Sequence, residues 1–246
     1  SNCITPQGID NIHAMRESHN QLFKLINSRE MRAGWRSGLD STGWLKHILL
    51  IFEGVGTRNF NHFCYLYYNT TFRAAERILG IIEKEKASVL VHCSDGWDRT
   101  NQLCALAELC LDPHARTLLG FQTLILKHWT WMGHKFTQRT FSPNERAPIF
   151  LQFVGMSYLC VANMQIKINT KMVDCVHQLL TQFPTAFEFN TKLLVKLVDA
   201  VHDCRFGTFL GDYHKQRIDL DIPTSTASFW WHVTKHNRTY KVRISQ

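Results

Sequence analysis

The segment from Ser88 to Leu111 constrains the fold of this chain more than any other. Ser88-Val89-Leu90-Val91-His92 is a short, β-branched apolar run that follows the charged stretch Glu83-Lys84-Glu85-Lys86. Such a run predicts a buried strand of an α/β sheet. From Arg99 the pattern changes to helical periodicity, carried by Leu103, Leu106, Ala107 and Cys110. Between the two lies a short loop, Cys93-Ser94-Asp95-Gly96-Trp97-Asp98, which contains a glycine. A strand–loop–helix turn of this kind points successive backbone N–H groups inward and sets the positive end of the helix beneath them. The result is an anion cradle.

Cys93 stands at the start of the cradle, where the same field lowers a thiol's pKa and yields a thiolate near neutral pH. Arg99 can fold over the cradle and hold two phosphate oxygens with its planar fork. Thr100 can donate a hydrogen bond to the sulfur and make it a better leaving group. With Ser94, Asp95, Gly96 and Trp97 lining the anion, these parts suit two-step phosphoryl transfer through a cysteinyl-phosphate. Two carboxylates beside a phosphate need a reason, and a proton donor for the leaving alkoxide supplies one. The chain has no Trp-Pro-Asp tripeptide to carry a mobile acid. Asp98, beside Arg99, is therefore the first candidate for the general acid and Asp95 the second. Either could instead cap the helix or position Arg99. The bare spacing is weak, since Cys110 and Arg116 repeat it with Thr117 following. There Pro113 intervenes without a glycine and no strand precedes, so Cys110 is expected as a packing residue.

The 246 residues are 45% hydrophobic and 20% charged, which fits a packed chain and not a disordered one. A net charge of +8 points to an anionic partner: phosphate-bearing lipid, phosphopeptide or nucleic acid. No zinc-finger spacing, aromatic RNA-binding signature or Lys/Arg cluster supports nucleic acid. Eight cysteines without a CxxC pair or regular framework suit a reduced compartment, so a special cysteine is expected to be reactive, not bridged. With no secretory leader and no run of about 18 apolar residues, neither secretion nor membrane spanning is expected. Helices are predicted over Asn11–Arg29, from Ser41 or Thr42 through Leu49, from Asp112-Pro113 towards Trp129, and over Thr191–Cys204 with Gly207 beyond its end.

His92-Cys93-Ser94-Asp95-Gly96-Trp97-Asp98-Arg99-Thr100 resembles the signature of the myotubularins, lipid phosphatases of the cysteine-phosphatase superfamily. Asn11 to Ser18, Trp44 to Ile48, Phe150 to Phe153, Gln182 to Asn190 and Phe206 to Leu210 resemble the same family in the same order. The resemblance implies an α/β, cysteine-phosphatase (C-x5-R) fold, with a central sheet flanked by helices and incomplete at the N-terminus. It implies removal of the 3-phosphate from phosphatidylinositol 3-phosphate and phosphatidylinositol 3,5-bisphosphate, with no metal and no cofactor. Cys93 and Arg99 both match, unlike the inactive members in which they are replaced, and acid chemistry falls to Asp98. In Gly133-His134-Lys135-Phe136-Thr137-Gln138-Arg139, the positions of Lys135 and Arg139 are those that recognise the inositol 5-phosphate. Four apart, they share one face of a helical turn, and Lys135 offers a point charge where many members carry Arg. Asn11 matches a substrate-contact position, which helix capping explains equally well. The implied partners are the phosphoinositide headgroup, a membrane surface and a second copy or an inactive myotubularin-like protein. The implied residence is cytoplasmic, peripheral on endosomal membranes.

The chain departs from the family pattern in three ways. It opens at Ser1 without the family's lipid-binding PH-GRAM module and early phosphatase segments, and after Gln246 no coiled coil follows. Residues 55–72 and 154–172 match nothing in the pattern, and each opens on Val-Gly, whose codons can begin with a splice donor. They read as translated introns or as a pair of surface loops. Two alternatives to the lipid phosphatase follow: a protein tyrosine or dual-specificity phosphatase using the same loop, and a truncated, inactive scaffold of the same family.

Overall fold

The computed structural model describes residues 11–27, 41–42, 70–154 and 175–242, and the chain divides into two compact units, Ser1–Leu90 and Val91–Gln246. The first unit carries helix α1, Ile12–Asn27, and helix α2, Thr70–Glu83. Helix α1 starts where Asn11 Oδ1 accepts the N–H groups of His13 and Ala14 at 3.0 and 3.1 Å. Two orphan donors of the first turn are satisfied in this way, so Asn11 stands in the structure as a helix cap. Met15 and Leu22 are buried on one stripe of α1, and Ala74, Ala75, Ile78 and Leu79 on one stripe of α2. The last residues of the first insert, Thr70–Phe72, already belong to α2. The rest of that insert, residues 155–172 of the second, the helix expected beyond Thr42, and Cys64 and Cys160 lie outside the described residues.

Among the described residues regular structure is helical, and strand pairing is limited to one antiparallel bridge between Phe189 and Lys241. Ser88–His92 joins no ladder, and Leu90 is 89% exposed. The expected buried strand is therefore not seen as one. A strand is buried when neighbours pair its backbone groups and cover its faces, and among the described residues nothing pairs with this run.

In the second unit, helix α3 (Arg99–Leu111) buries Leu103, Ala105, Leu106, Ala107 and Leu109 around most of its circumference and forms a core element. Arg116 Nη1 donates to the carbonyls of Leu109 and Cys110 at 3.0 and 3.1 Å. The second Cys-x5-Arg pair is thus a cation closing a helix C-terminus, and it makes no cradle. The single helix expected from Asp112-Pro113 towards Trp129 is broken into three. Asp112 Oδ1 accepts His114 N–H at 2.8 Å and opens a 3₁₀ turn, Pro113–Arg116. Thr117 Oγ1 then accepts Gly120 N–H at 2.9 Å and caps helix α4, Leu118–Ile125. A π-helical turn, Leu126–Trp131, follows.

This π-turn delivers Trp129 into the core, where its ring meets His134, Phe150 and Phe153 at centroid distances of 4.9 to 5.0 Å. Phe136 adds contacts to Phe150 and Phe209. This aromatic cluster fixes helix α5 (Phe136–Phe141) and helix α6 (Ile149–Val154). A buried hydrogen bond from Gln102 Nε2 to Gln152 Oε1 at 2.9 Å ties α3 to α6. Helix α7 (Cys175–Gln182) leads to helix α8 (Thr191–Asp203), which is capped by Asn190.

Helix α8 ends on Cys204 in a left-handed conformation, φ 53°, and Gly207 takes no part in the cap. Gly207 is required by close approach, because a Cβ there would lie 1.7 Å from Thr226 Oγ1 and 2.9 Å from Ile222 Cγ2. Gly207→Ala is expected to destabilise the fold by about 1–3 kcal/mol through overpacking. Urea unfolding checks this, and an unchanged midpoint would contradict it.

Candidate active site

The loop between His92 and α3 folds around the Cys93 sulfur. Gly96 adopts φ +90°, a region that favours glycine, and its N–H donates to Cys93 Sγ at 3.2 Å. Burial pushes the Cys93 thiol up. The Thr100 hydroxyl and the backbone N–H groups of Gly96, Thr100 and Asp95 pull it down further, so the net pKa is lowered. Thr100 Oγ1 is buried and makes no hydrogen bond of good geometry in the resting structure. Its rotor is free to turn to a thiolate, which is the interaction that favours ionisation.

Arg99 opens α3 and donates through Nη2 to Ser94 Oγ at 3.2 Å, and Ser94 Oγ donates in turn to Asp95 Oδ2 at 3.2 Å. Cys93, Ser94, Asp95, Gly96, Arg99 and Thr100 therefore share one small cradle with a soft nucleophile, inward N–H groups and a guanidinium. A tetrahedral oxyanion would meet donors on several sides there.

Asp98 and Trp97 meet residues beyond the loop. Asp98 occupies the N-cap position of α3 without a side-chain cap hydrogen bond. Its carboxylate is buried and paired with Arg139: Nη2 donates to Oδ2 at 2.8 Å, and Nε reaches Oδ2 and Oδ1 at 3.1 and 3.3 Å. His134 Nδ1 stands 3.0 Å from Asp98 Oδ1 and donates to the Trp97 carbonyl at 3.0 Å. Burial alone would push Asp98 up, but His134 and Arg139 overcome it and hold the carboxyl down to about 2. A carboxyl held there carries no proton at neutral pH. The remaining face of the Arg139 guanidinium is occupied as well, since Nη1 donates to Glu145 Oε2 and to the Glu145 carbonyl, each at 3.1 Å.

Lys135 and Arg139 do not present two cations on one face. Lys135 is the N-cap of α5, at φ −81° and ψ 70°, and its carbonyl accepts the Arg139 N–H at 2.8 Å. Its Nζ lies 4.2 Å from the centre of the Trp97 ring, a cation–π contact on the loop's own side chain, while Arg139 points into the core and is 6% exposed. Asn11 caps α1 in the other unit. Two residues that sequence reasoning did not single out also meet the loop, His134 and Asn101, whose Nδ2 donates to the Trp97 carbonyl at 2.8 Å, and Glu145 meets Arg139. His134 lies 37 residues from Trp97 in sequence, and no spacing rule links the two. A histidine between Gly133 and Lys135 was the one visible signal.

A family model for the myotubularin-like phosphatase domain matches residues 2–58 and 66–218. The break falls inside the first insert, and the second insert lies within the matched span. The chain is 39% identical to the phosphatidylinositol-3,5-bisphosphate 3-phosphatase MTMR8 of Gallus gallus over 228 residues, covering 91% of this chain and 30% of that protein. It is 38% identical to the phosphatidylinositol-3-phosphate phosphatase MTMR7 of Homo sapiens over 241 residues, with 95% and 30% covered. It is 37% identical to the myotubularin of Xenopus laevis over 238 residues, with 94% and 33% covered. The chain thus spans about a third of the length of the curated relatives it matches.

Proposed function

This chain belongs to the myotubularin-like phosphatase family, and from that premise we propose that it carries the catalytic loop of a phosphoinositide 3-phosphatase. The observation that supports this most directly is the Cys93 sulfur, which is held by the Gly96 N–H at 3.2 Å and has a lowered thiol pKa, in a loop whose Ser94 hydroxyl accepts from Arg99 Nη2 at 3.2 Å. The relatives are named for phosphatidylinositol 3-phosphate and 3,5-bisphosphate, and the same lipids are the proposed substrates here. The sheet belongs to the same proposal, because the unpaired run Ser88–His92 leads straight into the loop. Peripheral residence at a membrane surface follows from the substrate and stands with it.

In this mechanism the Cys93 thiolate attacks the 3-phosphorus, while Arg99 and the loop N–H groups hold the non-bridging oxygens. The bond to the inositol oxygen breaks, and a loop aspartic acid protonates that oxygen. Water then attacks the cysteinyl-phosphate and releases inorganic phosphate, with Thr100 donating to the departing sulfur.

Arg139 can join Lys135 on a 5-phosphate only by releasing Asp98, which would leave His134 as the partner that holds the Asp98 carboxyl down. Phosphate release from short-chain phosphatidylinositol 3-phosphate, set against a phosphotyrosine peptide, tests the substrate class, and preferential turnover of the peptide would refute it. Lys135→Ala is expected to weaken kcat/KM for the 3,5-bisphosphate roughly tenfold more than for the 3-phosphate, the value of about one charge-assisted contact. Equal losses on both lipids would remove the role of Lys135.

A further inference from the structure

We propose that His134 is a positioning residue of the catalytic loop: its Nδ1–H, given to the Trp97 carbonyl and set against Asp98, holds the turn that aims the Gly96 N–H at the Cys93 sulfur. The inference rests on the reading of Cys93 as the nucleophile and adds a residue to that site.

A cradle of inward N–H groups forms only if the intervening carbonyl dipoles point outward. The outward carbonyl here is that of Trp97, the residue after Gly96. It accepts from His134 Nδ1 at 3.0 Å and from Asn101 Nδ2 at 2.8 Å. Both groups facing His134 Nδ1 are acceptors, a carbonyl oxygen and the ionised Asp98 carboxylate 3.0 Å away. The hydrogen must therefore sit on Nδ1, which fixes the tautomer. Asn101 lies on α3 itself and moves with the loop, whereas His134 comes from a separate segment and ties the loop to the core.

The ring of His134 is well placed for this task. Its side chain is 1% exposed, and its faces and edges meet Trp129 and Phe136 edge-on, each at 4.9 Å. The His134 N–H donates to the Trp129 carbonyl at 3.0 Å, and the Phe136 N–H donates to the His134 carbonyl at 2.9 Å. A ring locked on this many sides holds its donor with little entropic cost at the moment of reaction. The loop glycine, at φ +90°, has only open space within 4 Å of where a Cβ would stand, so it has no packing of its own to hold its turn. The restraint has to come from its neighbours.

The test compares His134→Leu, His134→Asn and Phe136→Leu in the full chain. Asn keeps an N–H donor near the Nδ1 position, Leu removes it, and Phe136→Leu loosens the ring packing while leaving the donor in place. The readout is the rate of iodoacetamide alkylation of the Cys93 peptide against pH, followed by mass spectrometry, with near-UV circular dichroism to verify the fold. In His134→Leu, alkylation at about pH 6.5 is expected to fall several-fold and the curve to move to higher pH, since a thiolate without its N–H donor is harder to form. His134→Asn should recover most of the wild-type curve, and Phe136→Leu, which keeps the donor but frees the ring, should fall between wild type and His134→Leu. A His134→Leu curve that overlays wild type overturns the positioning role, and so does an Asn variant no better than Leu. If wild-type Cys93 itself titrates as an ordinary thiol, the catalytic reading and this inference fall together. A low wild-type pKa indifferent to His134 overturns this inference alone.

Discussion

Replacement of Cys93 by serine is expected to abolish phosphate release from phosphatidylinositol 3-phosphate, a loss on the order of 10⁴-fold or more. The size follows from what the loop is built to stabilise. Its N–H groups and the Thr100 hydroxyl lower the pKa of the thiol, but a serine hydroxyl starts too high for the same donors to produce an alkoxide. Substrate affinity should survive, because Arg99, Ser94 and the Gly96 N–H remain in place. Single-turnover kinetics with a binding measurement separates the two effects. Cys110→Ser is the matched control and should leave turnover unchanged, since Arg116 there closes a helix end through backbone carbonyls. Turnover that survives Cys93→Ser would refute the nucleophile.

The cradle was legible in the sequence because its chemistry is local. Cys93, Gly96, Arg99 and Thr100 lie within one turn, and a glycine at the one position that adopts φ +90° is a feature that spacing can reveal. The caps at Asp112 and Asn190 and the start of α3 are equally local, and the sequence patterns match them. The roles of Asp98 and Arg139 were not legible in the same way. Both residues are visible as charges, but their pairing spans 41 positions and depends on Trp129 turning the chain inward through a π-helical turn that no period announces. Lys135 caps a helix and lies over the Trp97 ring while Arg139 is buried, and neither environment can be read from their spacing. The strand expected at Ser88–His92 is not seen among the described residues for a different reason: burial of a strand is a property of its neighbours, and an apolar run does not contain them.

The pair between Asp98 and Arg139 carries the largest expected effect on stability. In Asp98→Ala the Arg139 guanidinium, with its side chain 5% exposed, loses the acceptor of both Nε and Nη2 and keeps only Glu145. Leaving a buried charge half-paired costs about 3–5 kcal/mol, read as a fall in the urea midpoint at neutral pH. Asp98→Asn keeps one acceptor and should lose less. Combining Asp98→Ala with Arg139→Met should lose less than the sum of the two single changes, since the second removes the stranded charge. The pH dependence follows from the direction of the shift. Asp98 is held at about 2, below the ordinary 3.8, so between these values the unfolded chain binds more protons than the folded one. The stability contributed by Asp98 is then fully present above about pH 4 and is lost as the pH falls towards 2, by about 2 kcal/mol in all. Asp98→Ala should flatten that part of the acid unfolding curve. An Asp98→Ala protein as stable as wild type, with the same acid limb, would show that the carboxylate is not held by this pair.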